Sequence, residues 1–300
     1  MSVRELSSPP SLSVVYPKAV AGAGRAALRR LPGLGGGERE LPDVELSLPE
    51  VEIDREHLSA YDRVCGFLLR DELPATYPHV IAFPMAMELM TDSDFPFTVI
   101  GLVHVGNRIE QLAPIRADEK LGVRVRTEDL RPHDRGTQFD IVAEARVGDD
   151  VRWRSRSTYL HRERGGDSSE KSRDGDRPEP PRADAIWKLP GDIGRSYAAV
   201  SGDRNPIHLR KLSARLFGMA RPIAHGMWLK ARCLAALEGH LPDAYEVDVG
   251  FKLPVFIPGK VSFASWSEDG KRGFALHDGR NEKPHLSGEV RARRCHPRRP

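Results

Sequence analysis

Two stretches of this 300-residue chain carry the same landmarks in the same order. Tyr61-Asp-Arg-Val64-Cys65-Gly66-Phe67 reads against Tyr197-Ala-Ala-Val200-Ser201-Gly202-Asp203. Ile81-Ala82-Phe83-Pro84-Met85 reads against Ile223-Ala224-His225-Gly226-Met227, and Val105-Gly106-Asn107-Arg108-Ile109 against Val249-Gly250-Phe251-Lys252-Leu253. Each series closes on a proline and a lysine, Pro114 with Lys120 and Pro254 with Lys260. A chain written twice folds as two copies of one unit, so its length divides into bodies of about 51–162 and 185–290. Residues 163–184 between them are rich in charge, Gly, Ser and Pro and hold no large apolar side chain, which is the composition of a flexible charged linker. Residues 1–50 read as an N-terminal extension, broken by Pro9-Pro10, Pro32, Gly35-Gly36-Gly37, Pro42 and Pro49, with a short basic helix expected over Ala19 to Arg30.

Within each copy the periodicities agree. After Gly226, the residues Met227, Ala231, Leu234 and Leu237 recur at helical spacing. Strands are expected over Tyr245–Lys252, Val261–Trp266, Gly273–His277 and Ser287–Arg293. In the first copy a helix is expected to start at Met85, with strands over Thr98–Ile109, Leu121–Thr127, Gln138–Val147 and Arg152–Leu160. One apolar helix followed by an antiparallel meander is an α+β plan, in which the sheet wraps the helix to bury it.

Charge and cysteine content exclude some classes. The 46 Lys and Arg against 43 Asp and Glu give +3, but RARRCHPRRP at the C-terminus supplies five arginines and no acid. Without that basic tail (291–300), 41 bases face 43 acids, and the near-neutral body gives no ground for a nucleic-acid partner. Cys65, Cys233 and Cys295 form no CxxC pair, which argues against a zinc ribbon or a disulfide framework. No apolar run reaches membrane-spanning length and no signal-like segment opens the chain, so a cytoplasmic protein with no membrane partner is expected.

The segment Tyr197 to Ala214, YAAVSGDRNPIHLRKLSA, carries the chemistry. Gly202 permits a left-handed backbone and Asn205-Pro206 enforces a turn, so Asp203 and His208 project from one short loop. A carboxylate and an imidazole at that separation can grip one water and move protons at neutral pH. The structural alternative is an Asp cap and a loop histidine without a task.

Tyr197, Val200, Ser201, Gly202, Asp203, Asn205, Pro206, Ile207, His208 and Ala214 together resemble the motif of the (R)-specific enoyl-thioester hydratases, the MaoC-like branch of the hotdog fold. The resemblance covers about residues 51–290 and implies a double hotdog acting as a hydro-lyase in fatty-acid metabolism. Such an enzyme reversibly dehydrates (R)-3-hydroxyacyl thioesters to trans-2-enoyl thioesters carried on coenzyme A or acyl carrier protein. It implies Asp203 and His208 as the acid–base pair and the Gly226 N–H, at a helix N-terminus, as the donor to the thioester oxygen. Asn205, His225 and Met227 are the implied substrate-binding residues, with His225 in a positional role, and no metal or redox cofactor is implied. The first copy has Phe67 where the second has Asp203 and Pro84 where it has Gly226, so it is expected to be catalytically silent and to make room for the acyl chain, with Met85, Met87, Leu89 and Phe95 as candidate lining. Relatives often carry a serine in the central helix, where this chain has Ala231, Cys233, Leu234 and Ala235. Arg204, Arg210, Lys211, Arg221 and Lys230 are candidates for meeting the carrier's phosphates, and a homodimer stays open. The competing readings are a dehydratase dedicated to carrier-protein substrates, a hotdog thioesterase, and a non-catalytic acyl-binding protein.

Overall fold

The computed structural model describes residues 1–19, 39–163 and 180–293. Its strands are β1 (Ser2–Glu5), β2 (Val44–Val51), β3 (Leu102–Gln111), β4 (Leu121–His133), β5 (Gly136–Val147), β6 (Asp150–Arg162), β7 (Ala185–Leu189), β8 (Tyr245–Phe251), β9 (Gly259–Glu268), β10 (Lys271–Asp278) and β11 (Pro284–Ala292). They form one sheet in the order β1-β2-β4-β5-β6-β3-β8-β11-β10-β9-β7, antiparallel throughout except for β1 beside β2. The helices are α1 (12–19), α2 (Arg55–Cys65), α3 (Tyr77–Met90), α4 (Ile193–Ser201), the single turn α5 (Pro206–Leu209), α6 (Lys211–Leu216) and α7 (Gly226–Leu237).

Read from each end toward the centre, β2-β4-β5-β6-β3 and β7-β9-β10-β11-β8 are the same topology, so the repeat seen in the sequence is a repeat of structure. The copies join at β3 and β8, where Gly106 lies opposite Gly250. These two glycines are also partners in the sequence repeat, and a residue that faces its own counterpart marks a pseudo-twofold axis. Tyr61 and Tyr197, another repeat pair, bring their rings to 6.3 Å across the same axis. Helices α2 and α4 both end on left-handed glycines, Gly66 at φ 83° and Gly202 at φ 73°, whose N–H groups return to Asp62 O and Ala198 O. This is the turn that needs glycine, since a side chain at positive φ is strained.

The central helices α3 and α7 are buried on nearly every face, as their continuous apolar sequences require. Met85, Leu89, Ala231 and Cys233 are fully buried, and the free thiols of Cys65 and Cys233 lie in this core. No described helix is long and apolar enough to cross a membrane.

The expected strands are all present, but two expectations need correction. The sheet of the first copy starts at Val44, ahead of the boundary placed at residue 51. Strand β2 pairs with β4 and tolerates Pro49 because the ladder shifts register between Leu48 and Val51, where the missing N–H costs no hydrogen bond. Helix α3 starts at Tyr77 and not at Met85, so Pro84 lies inside it and is not the structural counterpart of Gly226. Pro78 occupies the first turn, where no N–H is required, and burial of the whole helix outweighs the bond lost at Pro84. All but Ala19 of the helix expected over Ala19–Arg30, nearly all of the linker 163–184, most of the tail 291–300 and Cys295 lie outside the described residues.

Candidate active site

Asp203 follows the left-handed Gly202 and is fixed by its neighbours. Its N–H donates to Ser201 Oγ at 3.2 Å, and its Oδ1 accepts from the Asn205 N–H at 3.1 Å. Asn205 Oδ1 accepts from the Ile207 N–H at 3.4 Å and starts α5, with Pro206 in the first turn. The turn delivers His208 back toward Asp203. Helix α4 lies against it at Gly194, where a Cβ would sit 2.0 Å from the His208 carbonyl oxygen.

Two histidines flank the carboxylate. His208 Nδ1 lies 2.8 Å from the Ile223 carbonyl, which can only accept, so Nδ1 carries the proton and Nε2 keeps a lone pair. His225 Nε2 lies 3.0 Å from the Asp203 carbonyl and donates to it by the same logic. Its Nδ1 is buried with no hydrogen-bond partner among the described residues. The rings stack at 3.7 Å and 26°, and His225 Nε2 is 3.9 Å from Asp203 Oδ2. Asp203 retains 31% of its side-chain exposure against 2% for His225, so a ligand can reach the carboxylate while the second imidazole is enclosed.

Burial raises the Asp203 carboxyl, but His225, His208 and the Asn205 N–H outweigh it and hold the group below the usual carboxylate range. Burial lowers His208, only partly opposed by Asp203 and the Ile223 carbonyl. Burial, reinforced by His208, pushes His225 down to about 3. At neutral pH the site therefore rests as one carboxylate between two neutral imidazoles.

Gly226 opens α7 with His225 as its non-helical cap. Its N–H faces no acceptor among the described residues, as expected at a helix start, which leaves a free donor on the residue that follows His225. The Phe251 ring lies 3.0–3.2 Å from where a Cβ would stand at Gly226, which leaves room there for backbone alone. At the corresponding end of α3 the Tyr77 N–H is spent on Pro74 O at 2.8 Å and the next residue is Pro78. The first residue of α3 thus offers no free N–H, for a reason other than Pro84, and Phe67 does follow Gly66 as Asp203 follows Gly202.

Of the implied substrate-binding residues, Asn205 commits its oxygen to the α5 cap, His225 braces the loop backbone, and Met227 is buried in the first turn of α7. Lys230 cannot meet a phosphate: it is fully buried and donates to Asn107 O, Asn107 Oδ1 and Val247 O at 2.9, 2.6 and 3.3 Å. Met85, Met87, Leu89 and Phe95 are core side chains. The cavity in the first copy is lined instead from the other side of α3, by His79, Ala82, Phe83 and Ala86 with residues of β4, β5 and β6.

One site residue was invisible to motif reading. Tyr16, in α1, donates from its hydroxyl to Gly202 O at 3.0 Å and accepts from the Arg204 N–H at 2.5 Å, so it pins the backbone on both sides of Asp203. Leu12 packs on Gly202, and Lys18 pairs with Glu88 of α3 at 3.4 Å. The only sequence signal was a few apolar residues, Leu12, Val15 and Tyr16, in a polar extension.

Asp203, His208 and His225 each offer a ligand atom within 4.8 Å of the others. Stacked, near-parallel imidazoles do not aim their in-plane lone pairs at a common point, so the set fits proton transfer better than tetrahedral metal binding.

Fold and site together define a double-hotdog protein with one acid–base loop, set in its second copy. Residues 179–288 match the MaoC like domain family. The chain is 38% identical over 268 residues to 3-hydroxyacyl-thioester dehydratase X of Mycobacterium tuberculosis, which covers 89% of this chain and 95% of the relative. The crystal structure of that organism's HtdX superposes with a TM-score of 0.75 at 36% identity, covering 83% of this chain and all of the other. A 71-residue stretch is 38% identical to the (R)-specific enoyl-CoA hydratase of Aeromonas caviae, spanning 22% of this chain and 53% of that enzyme. The chain belongs to the MaoC-like dehydratase family.

Proposed function

We propose that Asp203 and His208 interconvert (R)-3-hydroxyacyl and trans-2-enoyl thioesters by moving a single proton, with the Gly226 N–H meeting the charge that develops on the thioester oxygen. The chain is a hydro-lyase of fatty-acid metabolism. The observation that carries the reading is the loop's geometry, Asp203 and His208 on one turn with His208 Nδ1 held by the Ile223 carbonyl so that Nε2 keeps its lone pair. The lowered His208 and Asp203 agree with a neutral imidazole beside a carboxylate.

Neither group of that pair holds an acidic proton at rest, so the proton given to the leaving hydroxyl must be the one taken from the α-carbon. In dehydration His208 Nε2 removes the α-proton and returns it to the β-oxygen as the C–O bond breaks, releasing water. Asp203 accepts a hydrogen bond from that water and stabilises the transient imidazolium. Hydration runs the same steps backward. The enolate-like charge falls on the carbonyl oxygen, where a preorganised amide at a helix N-terminus is most effective. His225 holds the loop and takes no proton, and the first copy is silent because it has Phe67 where the second has Asp203. The scheme requires no metal or redox cofactor, so dialysis against a chelator should leave the rate unchanged.

For the carrier, a groove lined by Arg221, Lys260, Arg280 and Asp278 supports coenzyme A, whose phosphates suit its cationic rim. Ile223, whose carbonyl holds His208, bridges to Phe256 in the same groove. Turnover of one enoyl chain on coenzyme A and on acyl carrier protein tests this. Hydration of the enoyl thioester to the (R)-alcohol is expected, with coenzyme A at least tenfold preferred in kcat/KM. Release of free thiol without hydration would instead indicate a thioesterase.

A further inference from the structure

The cavity in the first copy is lined by Ala82, Phe83, Ala86, Val125, Ile141 and Ala143, but four polar side chains interrupt that apolar wall: His79, Ser155, Ser157 and Tyr159. Its empty space, about 280 Å³ including the part open to solvent, is too small for a coenzyme. It adjoins the reaction site on two sides. Phe83 reaches to 3.9 Å of the Cβ position at Gly202, and a stack runs from Tyr159 through His104, at 4.7 Å, to Phe251 beside Gly226, at 5.0 Å.

The serine hydroxyls have an orientation imposed from behind. Lys230 Nζ donates to Asn107 Oδ1 at 2.6 Å, which fixes which end of that amide is oxygen. Asn107 Nδ2 therefore donates to both Ser155 Oγ and Ser157 Oγ, at 3.0 Å each. Two residues apart on β6, the serines face the same way. Each hydroxyl accepts from Asn107 and has no acceptor of its own among the described residues, although Ser155 is 3% and Ser157 2% exposed. Two buried O–H donors without acceptors among the described residues, on the wall of a cavity beside the reaction site, ask for an acceptor atom from a ligand. Lys230, behind them, spends its N–H groups on Asn107 and Val247, and burial pushes its amino group well below the usual lysine range, so the wall offers neutral donors.

Given the thioester reading of the acid–base loop, we infer that this cavity is a polar subsite for the acyl chain: Ser155 and Ser157 donate to a neutral acceptor oxygen, a ketone, carried on the chain beyond the reacting carbons. An unsubstituted alkyl chain entering the same space leaves both hydroxyls unpaired and is the poorer ligand. Lys230 and Asn107 are positioning residues for this subsite, since they touch the serines and not the chain.

The test is calorimetric binding of saturated acyl-CoA thioesters, which the reaction cannot consume, in matched pairs of equal length: a plain chain and a series with one ketone walked along it. At one ketone position wild type is expected to bind at least tenfold more tightly than to the plain chain. Ser155→Ala, Ser157→Ala and the double variant are expected to lose that preference stepwise. The single variants leave Asn107 one partner and guard against misfolding of the double. Equal or tighter binding of the plain chain at every position, or a preference that survives in the double variant, overturns the subsite and leaves the hydratase reading standing. Failure of wild type to bind either kind of thioester overturns both.

Discussion

Tyr16→Phe isolates the contribution of the N-terminal helix to catalysis. The substitution keeps the ring and its packing beside Leu12 and removes one oxygen, and with it the bonds to Gly202 O and the Arg204 N–H. Each is worth about 0.5–1.5 kcal/mol net, so the pair biases the loop toward its aligned form by roughly 1–3 kcal/mol. At about 1.4 kcal/mol per factor of ten, losing that bias lowers the population of correctly placed Asp203, and kcat, by roughly fivefold to a hundredfold. Because Tyr16 hydrogen-bonds the loop backbone and does not contact the thioester in this scheme, KM should change by no more than about twofold. Burial and the Asp203 charge raise the Tyr16 hydroxyl, so it remains a protonated donor across the working range and its contribution should not vary with pH. The assay is hydration of a short enoyl-CoA followed by loss of the conjugated absorbance, alongside a melting curve. A variant that melts lower yet keeps wild-type kcat would refute the reasoning and reduce α1 to a fold staple.

The protein should be acid-labile. Burial holds His79 at about 4 and His104 and His225 at about 3, and it lowers His208 as well. The unfolded chain takes up protons at these sites from about pH 6.5 downward while the native state does not, so stability falls below that value by on the order of 1 kcal/mol per pH unit for each histidine. Asp203, lowered in the native state, adds its own loss only below its ordinary value of 3.8. Urea midpoints at pH 7 and pH 5 measure this, and equal midpoints would contradict the assignment of neutral buried imidazoles. Gly202→Ala places a Cβ at positive φ and 2.4 Å from Leu12 Cδ1, and is expected to cost about 1–3 kcal/mol and most of the activity; wild-type stability would show that the loop relaxes freely. Lys230→Met strands buried acceptors on Asn107 and Val247 and is expected to cost about 2–4 kcal/mol in denaturant unfolding, whereas an equally stable variant would show that the amino group gains nothing over packing.

Much of the architecture was legible because it is written twice. The Gly106 and Gly250 match marked the two strands that meet at the centre, although their pairing is visible only in the sheet, and the strands of both meanders fall within a few residues of their expected places. The turn that brings Asp203 and His208 together was legible because Gly-Asp and Asn-Pro encode backbone geometry as well as chemistry. What escaped was decided by tertiary context. Helix α3 holds Pro84 in its interior, which local preference excludes and burial on nearly every side admits. Strand β2 lies in a stretch of prolines that reads as loop until β4 supplies its partner. Tyr16 and the Ser155–Asn107–Lys230 relay act across 186 and up to 123 residues of sequence, and no local pattern announces a hydrogen bond at that separation. The lining of the first-copy cavity was not legible, because helical periodicity shows which residues of α3 are apolar, not which side of a uniformly buried helix faces empty space.

The central claim is that one carboxylate and one imidazole on a single loop perform the reaction. It is tested most directly by enoyl-CoA hydration in Asp203→Asn and His208→Ala, each shown by circular dichroism and melting to be folded. Both are expected to lose at least about a hundredfold in kcat, the scale of general acid–base catalysis. Near-native rates in the two folded variants would contradict the account.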